Sequence, residues 1–153
     1  MTPDYPTMFQ ELLRTQMEIA ENGRTKALLV KRANVQMALG NHLAAAFDAE
    51  KLLALAPSSR EGHYLKAKAI LGMAATGEGV ASRPSMPMGN YVLRSRRELL
   101  ECARGCLRRV LTQNPEDQQA RRAYAEVGVL LAEERRRDLV SSSSGAGAVP
   151  AQA

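Results

Sequence analysis

The chain has 153 residues, about the length of one ordinary domain, with 45% apolar and 24% charged side chains, no Trp and only 4% aromatics. Because Leu, Ala, Met and Val must build the core, this composition favours helices over a sheet of β-branched and aromatic residues. The net charge of +5 would suit an acidic partner, but much of the arginine excess alternates with glutamate, as on a solvated helix face, and no nucleic-acid-binding module accompanies it.

Caps and turns divide the chain into six predicted helices. Thr7 is the expected N-cap of the first, Asn22-Gly23 closes it, and Pro57 followed by two serines separates the third from the fourth. The connections around the second, third and fourth helices are short, so these helices should be antiparallel neighbours. The predicted bounds are Met8 to Asn22, Thr25 to Leu39, His42 to Ala56, Arg60 to Ala74, Tyr91–Arg94 to Gln113, and Glu116 to Asp138.

Two segments depart from this helical pattern. The stretch Ala75 to Asn90 contains three glycines and two prolines, which predicts a mobile loop without helix or strand over about residues 75–93. The segment 139–153 is rich in Ser, Gly and Ala and is expected to be a disordered tail. The predicted organisation is an N-terminal helix over 1–24, a helical domain over 25–138 that contains the insertion, and the tail.

The landmarks of the helices repeat at matched intervals. Ala33 and Ala67 are separated by the period, about 34 residues, of one class of helix–turn–helix repeat. The interval from Ala45 to Pro57 equals that from Ala103 to Pro115, and the interval from Pro57 to Ala67 equals that from Pro115 to Ala125. Small residues at helix crossings let two backbones approach closely, and proline ends a helix. The spacings therefore predict stacked helix pairs, each ended by a proline.

The segment KRANVQMALGNHLAAAFDAEKLLALAP, from Lys31 to Pro57, resembles the consensus of the tetratricopeptide repeat (TPR), and the resemblance extends over about Leu28 to Leu131. It implies an all-α fold, a right-handed superhelix of antiparallel helix pairs, with two repeats and a capping last helix. The second repeat departs from the pattern through an insertion between its helices, because the interval from Ala67 to Ala103 is three times that from Ala33 to Ala45.

Within the TPR family, GHYLKAKAI and the later Asn114-Pro115 look most like the TPR segment of LON-domain RING-finger proteins. The sequence has no RING cysteine array and is too short for a LON domain. The resemblance therefore implies only the recognition part of such a ubiquitin ligase.

The TPR resemblance also implies a partner-binding groove, lined from positions two, six and nine of the first helix of each pair. A protein-interaction adaptor or scaffold that binds a peptide or helix of another protein is the function it implies. The corresponding groove positions are Ala27, Lys31, Asn34, Glu61, Leu65, Lys68, Gln119, Ala123 and Glu126.

Three other functions stay open. Two and a half repeats give a small core, so the chain could instead be a permanent structural subunit of a larger complex or of a homodimer. A co-chaperone-like clamp on a terminal carboxylate would use Lys31, Asn34 and Lys68, but Glu61 would repel that ligand. RNA binding through the Arg-rich helices is the third alternative.

No catalytic, metal or cofactor site is expected. The sequence lacks a nucleophile with a base and a phosphate-binding glycine loop, and Cys102 and Cys106 are expected to be small core residues. His42 and His63 lack metal-ligand spacing. With neither a signal-peptide pattern nor a long apolar run, the expected location is the cytosol, with the nucleus as the alternative.

Overall fold

The computed structural model describes residues 4–81, 86–88 and 91–146. In that part of the chain it contains six helices and three short strands, and the expected all-α helical-repeat fold is confirmed. The helices are α1 (Tyr5–Asn22), α2 (Lys26–Ala38), α3 (His42–Leu55), α4 (Arg60–Thr76), α5 (Arg96–Gln113) and α6 (Gln118–Ala146). The strands are β1 (Val80–Ala81), β2 (Met86–Met88) and β3 (Tyr91–Ser95).

Side-chain caps explain where several helices begin. The hydroxyl of Thr25 accepts from the backbone N–H of Leu28 at 3.2 Å, and Ser59 accepts from Gly62 at 3.1 Å. Ser95 forms a capping box with Glu98, which fixes the start of α5 later than Tyr91–Arg94.

The predicted start of the first helix is wrong by three residues. Asp4, not Thr7, is the N-cap of α1, since an Asp4 carboxylate oxygen accepts from the Thr7 backbone N–H at 3.3 Å. Pro6 lies in the first turn, where its missing N–H leaves no helical hydrogen bond unmade. The helix therefore begins on the Tyr5-Pro6 pair that precedes the expected start.

Each helix packs against the next along the chain, and α4 also contacts α2 and α6. The four alanines at the predicted crossings are at most 1% exposed: Ala33, Ala45, Ala67 and Ala103. Ala125, the corresponding residue of α6, is exposed, because the described chain ends in α6 and no later described helix covers it. The repeat spacing thus marks real close approaches wherever both helices of a pair are present.

The turn between α2 and α3 packs on the last part of α4. A Cβ atom at Gly72 would overlap the imidazole ring of His42, so this approach requires glycine. The backbone N–H of His42 donates to the Glu78 carboxylate at 3.0 Å, which ties the same turn to the residues after α4.

The expectation that residues 75–93 contain no regular structure is wrong. Helix α4 continues to Thr76, β1 pairs in parallel with β3, and β2 pairs antiparallel with it. Val80 and the run Tyr91-Val92-Leu93 have high strand propensity, which the glycine and proline count obscured. Residues 82–85 and 89–90 lie outside the described chain, and the mobility of the insertion stays a prediction.

Helix α6 is longer than predicted. It has 29 residues and ends at Ala146, so residues 139–146 are helical where a disordered tail was expected. Ser and Ala do not stop a helix that is already formed, and the next proline comes only at Pro150. Residues 147–153 of the predicted tail lie outside the described chain.

Candidate partner-binding groove

The first helices of the successive pairs, α2, α4 and α6, form one side of the molecule. α4 contacts both α2 and α6, whereas α3 and α5 each pack against the helices before and after them. Side chains on the free side of α2, α4 and α6 are therefore neighbours across helices that are far apart in sequence.

Seven of the nine predicted groove residues have accessible side chains on these helices. Lys31 and Lys68 are half-buried and the other five are exposed: Ala27, Asn34, Glu61, Gln119 and Glu126. Position two of each helix is exposed, and so is position nine in α2 and α6.

Leu65 and Ala123 are buried, so the prediction that they line the groove is wrong. Each is 3% exposed. Leu65 packs with Leu29 and Leu52, and Ala123 belongs to the larger core of α4, α5 and α6. In α4 and α6, the residue at position six faces a neighbouring helix. Only in α2 is the residue at position six, Lys31, partly accessible.

Arg60 connects the beginnings of α4 and α6. Its Nε donates to Asp117 Oδ2 at 2.8 Å and its Nη2 to Asp117 Oδ1 at 3.0 Å, a bidentate pair. The same guanidinium donates to the predicted groove residues, to Gln119 at 2.9 Å and to Glu61 at 3.1 Å. It also lies 4.5 Å from the centre of the Tyr64 ring.

This pairing changes the acidity of both partners. The hydrogen bonds between Arg60 and Asp117 raise the pKa of the guanidinium and lower the pKa of the carboxyl. The Asp117 side chain is only 10% exposed and Arg60 29% exposed, so both stay charged at neutral pH in a partly dry setting. Arg60 thus fixes the position of Glu61 and Gln119 at one end of the groove.

A solved structure shows what this arrangement is similar to. The NMR structure of the first TPR domain of the human RPAP3 protein has a TM-score of 0.65 to this chain at 15% sequence identity. The match covers 86% of this chain and 84% of that one. The fold is that of a TPR domain. No protein-family model matches the sequence, and no curated protein matches it at a significant level.

The sequence did not identify Arg60 as a functional residue, although a signal was present. Arg60 and Asp117 both follow a proline of the TPR spacing, three residues after Pro57 and two after Pro115. The two positions differ by one residue in the repeat, but both lie at the start of the first helix of a pair, and opposite charges at neighbouring helix starts can form a pair. Their separation of 57 residues along the chain concealed it.

The two predicted groove lysines have different surroundings. Lys31 Nζ lies 4.0 Å from a carboxylate oxygen of Glu18 on α1, and both side chains are about 40% exposed, so this pair contributes little to stability. Lys68 makes no ion pair with any residue in the described ranges. Lys68 is therefore the groove cation best placed to meet a partner carboxylate.

Behind the groove, the first repeat is held by a buried ion pair. Arg32 Nε donates to Asp48 Oδ2 at 2.9 Å and Arg32 Nη2 to Asp48 Oδ1 at 2.6 Å, joining α2 to α3. The Asp48 side chain is 4% exposed and that of Arg32 15%. This pair keeps α2, which carries Lys31 and Asn34, at a fixed angle to its partner helix.

Of the two cysteines expected to be small core residues, only Cys106 is buried in the core. Cys106 is 7% exposed, but Cys102 is half-buried. A hydrogen bond from the Cys106 thiol, with Lys66 and Arg94 nearby, lowers the pKa of Cys102 to about 6 although burial acts against it. Cys102 is the more accessible thiol of the pair.

The described residues contain no group of three or more His, Cys, Asp or Glu side chains arranged to hold a metal ion. His63 is 4% exposed, and its Nε2–H donates to the Pro57 carbonyl oxygen at 2.9 Å, which gives it a structural role at the turn. Among the described helices, none has the length and apolar character needed to span a bilayer.

Proposed function

We propose that this chain is a protein-interaction module that binds a peptide or a helix of another protein across α2, α4 and α6. The observation that carries the proposal is the shared side of these three helices, on which Asn34, Glu61, Lys68 and Glu126 have accessible side chains. Solvated polar side chains on a rigid helical scaffold can form specific hydrogen bonds without a conformational change.

The charges of this surface favour a partner segment that itself carries both signs. Lys68 is flanked on its own helix by Glu61, and Glu126 occupies the corresponding position of α6. A ligand with a single carboxylate would meet Lys68 but would be repelled by Glu126, whereas the charge of Glu61 is partly compensated by Arg60. A co-chaperone-like clamp for a terminal carboxylate is therefore the less favoured form of the proposal.

Capture from the native cell with matched variants tests this proposal. The wild-type chain, Lys68→Glu, Asn34→Ala and a control, Arg108→Glu, would each be immobilised and the bound proteins quantified. Arg108 is exposed on α5, away from the groove helices. We expect at least one protein that both groove variants lose at least tenfold, the size of a hot-spot loss, while the control retains it. Partners that all variants retain equally would contradict the groove.

Ubiquitin-ligase recognition is the narrower form of this proposal. It rests on the likeness of GHYLKAKAI to the TPR segment of LON-domain RING-finger proteins. In this form, the captured proteins should include RING-containing ligases or their substrates, and the cytosol or nucleus is where the interaction would occur.

A permanent structural subunit is the second candidate, because α1 exposes large apolar side chains. RNA binding has less support, since arginines of the last two helices pair with acids: Arg97 with Asp138 at 3.1 Å and Arg137 with Glu134 at 3.2 Å. RNA binding predicts retention on polynucleotide that falls steeply with salt, and the absence of retention would remove it.

A further inference from the structure

One side of α6 is exposed along most of the helix. At 100° per residue, the residues around Val129 on the helical wheel form a band about 120° wide, which we call the α6 face. Every residue of the α6 face is exposed, with Val129 at 60% and Leu139 at 70%. The members of the α6 face are Gln118, Arg121, Ala125, Gly128, Val129, Ala132, Arg135, Arg136, Leu139 and Ser143.

The repeat pattern places a helix against the α6 face. The prolines at the two repeat ends align α4 with α6, and four residues of α4 that lie in the core shared with α5 are at most 6% exposed. On α6 the corresponding residues are also apolar or small, but no described helix covers them. Ala67, Ile70, Leu71 and Ala74 of α4 correspond to Ala125, Gly128, Val129 and Ala132 of α6. The occupant that fits the α6 face is therefore a helix.

The described chain does not turn back to cover the α6 face. Helix α4 ends at Thr76, which corresponds to Glu134, and the chain then leads through β1 and β3 into α5. Helix α6 instead continues without a break to Ala146. It thus runs past the point at which a second helix of this pair would begin, and a covering helix would come from another chain.

All charges of the α6 face are positive. The face contains Arg121, Arg135 and Arg136 and no acid. Arg121 pairs with the exposed Glu116 at 3.2 Å, whereas Arg135 and Arg136 form no ion pair with any residue of the described ranges. Arg121 and Arg135 are roughly 21 Å apart at the helical rise, so positive charge lies toward both ends of the face.

The acids of α6 lie on other sides of the helix. Glu134 and Asp138 pair with arginines of α5. Glu126 and Glu133 lie toward the groove, at about 80° or more from Ala125 on the helical wheel. An acidic partner on the α6 face would therefore meet arginines without meeting these carboxylates.

We propose that the α6 face binds an amphipathic helix of another protein, one with an apolar stripe and with acidic residues toward both of its ends. This helix would complete a third pair with α6. Its apolar residues would pack on Ala125, Val129 and Leu139, and its acids would meet the arginines at the two ends of the face. The proposal does not depend on the groove, because the predicted groove residues lie on another side of α6.

The apolar residues between the arginines favour a helix over other anionic partners. A polynucleotide would meet the arginines through its phosphates but would leave Val129 and Leu139 in water. Helices that lie on a bilayer bury several large apolar side chains, and the α6 face has no aromatic residue and a single leucine. An acidic amphipathic helix matches both the charge and the apolar surface.

A peptide derived from α5 tests the proposal, because α5 fills the corresponding place on α4. The two helices are antiparallel, since Arg96 contacts the Ala74 carbonyl and Gln113 contacts the Ser58 carbonyl. The acidic peptide has the sequence of residues 95–114 with four substitutions that place glutamates near both ends, and the unchanged sequence is its control. The substitutions are Arg96→Glu, Arg97→Glu, Arg108→Glu and Arg109→Glu.

Fluorescence anisotropy measures the binding of both labelled peptides to the full chain under reducing conditions. We expect a Kd on the order of 10 µM for the acidic peptide and binding at least about tenfold weaker for the control. An acidic peptide that does not bind, or that binds no better than the control, would overturn the proposal.

Adjacent arginines of α6 give a matched pair of variants. Arg136→Glu reverses a charge on the α6 face, while Arg137→Glu makes the same change on the groove side of the helix. Arg136→Glu and Val129→Glu should each weaken binding of the acidic peptide at least about fivefold, and Arg137→Glu should bind it like the wild type. Equal losses for Arg136→Glu and Arg137→Glu would overturn the proposal. Ala125→Glu replaces Val129→Glu if circular dichroism shows the latter unfolded.

Two further measurements separate an acidic helix from other occupants. Poly(U) or phosphatidylserine vesicles that bind the chain, and that lose binding with Arg136→Glu but not with Val129→Glu, would assign the face to a polyanion. Dimers in light scattering that Val129→Glu abolishes would assign it to a second copy of the chain. Either result would overturn the proposal, and a monomer that binds neither polyanion supports it.

Discussion

The helix pairs α2–α3 and α4–α5 reach the same packing through different connections. Three residues, Leu39 to Asn41, connect α2 to α3, with Gly40 at a φ of 82°. Residues 77–95, which include the small three-stranded sheet, connect α4 to α5. The crossing alanines of both pairs are nevertheless at most 1% exposed. The faces of the helices, and not the length of the connection, determine how a pair packs.

The two pairs are held by different interactions. The pair α2–α3 contains the buried Arg32–Asp48 contact within itself. The pair α4–α5 shares a large apolar core with α6, and its polar contacts lead outward: Arg96 Nε donates to the Ala74 carbonyl oxygen at 3.1 Å and Arg96 Nη1 to Glu134 of α6. The second pair should therefore depend on α6, whereas the first pair, whose Ala45 and Ala46 join the same core, should depend on α4.

The largest expected effect is the loss of a core leucine from the second pair. Leu107 is 0% exposed in the core of α4, α5 and α6, so Leu107→Ala should lower the free energy of unfolding by about 4 kcal/mol through lost contacts and a cavity. Leu52→Ala, in the smaller cluster of the first pair, should cost about 3 kcal/mol because fewer buried apolar residues surround it. Urea denaturation followed by circular dichroism measures both. A larger loss for Leu52→Ala would reverse the comparison.

Removing the buried carboxylate of the first pair should have the next largest effect. Asp48→Ala leaves the Arg32 guanidinium without its counter-charge and should cost about 3 kcal/mol in urea denaturation. Asp138→Ala is the control, because its partner Arg97 and Asp138 itself are more than half exposed, and we expect a loss of about 0.3 kcal/mol or less. Equal losses for the two variants would mean that the Arg32–Asp48 pair does not hold α2 to α3.

Asp117→Asn should cost about 1 kcal/mol at neutral pH, since Arg60 is partly exposed and solvent screens the pair. The pKa of Asp117 is lowered in the folded chain, so its contribution is complete above the unfolded-state value of about 3.9 and is lost as the pH falls through the folded value. The stability difference between wild type and variant should be constant from about pH 5 to 8 and shrink below about pH 3. A difference that grows on acidification would contradict this assignment.

An effect of similar size but opposite sign tests the insertion itself. Arg96 contacts the Ala74 carbonyl, so the ends of α4 and α5 are adjacent, and a two-residue turn in place of residues 78–94 should connect Gly77 to Ser95. The shorter loop should lower the cost of loop closure by about 2 kcal/mol, and loss of the hydrogen bond from His42 to Glu78 should offset about 1 kcal/mol of this, so the free energy of unfolding should rise by about 1 kcal/mol. A loss of stability would show that the contacts of β1 and β3 with α5 contribute more than the loop costs.

Local signals in the sequence predicted most of the fold. Ser59, one of the two serines after Pro57, caps α4 as expected, and the repeat spacing correctly located the close approach at Ala33 and Ala67. Features that depend on distant residues were not predictable in the same way. Leu65 is buried because its side chain packs between α4 and the residues Leu29 of α2 and Leu52 of α3, and not on the open surface of the groove.

The polar part of the candidate site was harder to predict than its helices. The position rule for the groove named Glu61 and Gln119 but not Arg60, which joins them through a contact 59 residues away in sequence. The small sheet was missed because its strands are short and pair across residues rich in glycine and proline. Turns and helix caps can be predicted from residues that are adjacent in the sequence. A pair of residues that are far apart in the sequence gives no such local pattern.

The contact between Gly72 and His42 has a consequence for sequences related to this one. Any side chain at position 72 would occupy the space of the imidazole, so position 72 can change only if the ring at position 42 moves or is replaced by a smaller side chain. A homologue with alanine at the position of Gly72 should carry a small residue at the position of His42. Positions 42 and 72 lie on different helices, α3 and α4. Covariation between them in an alignment would identify related chains with the same insertion between α4 and α5, even where the groove residues differ.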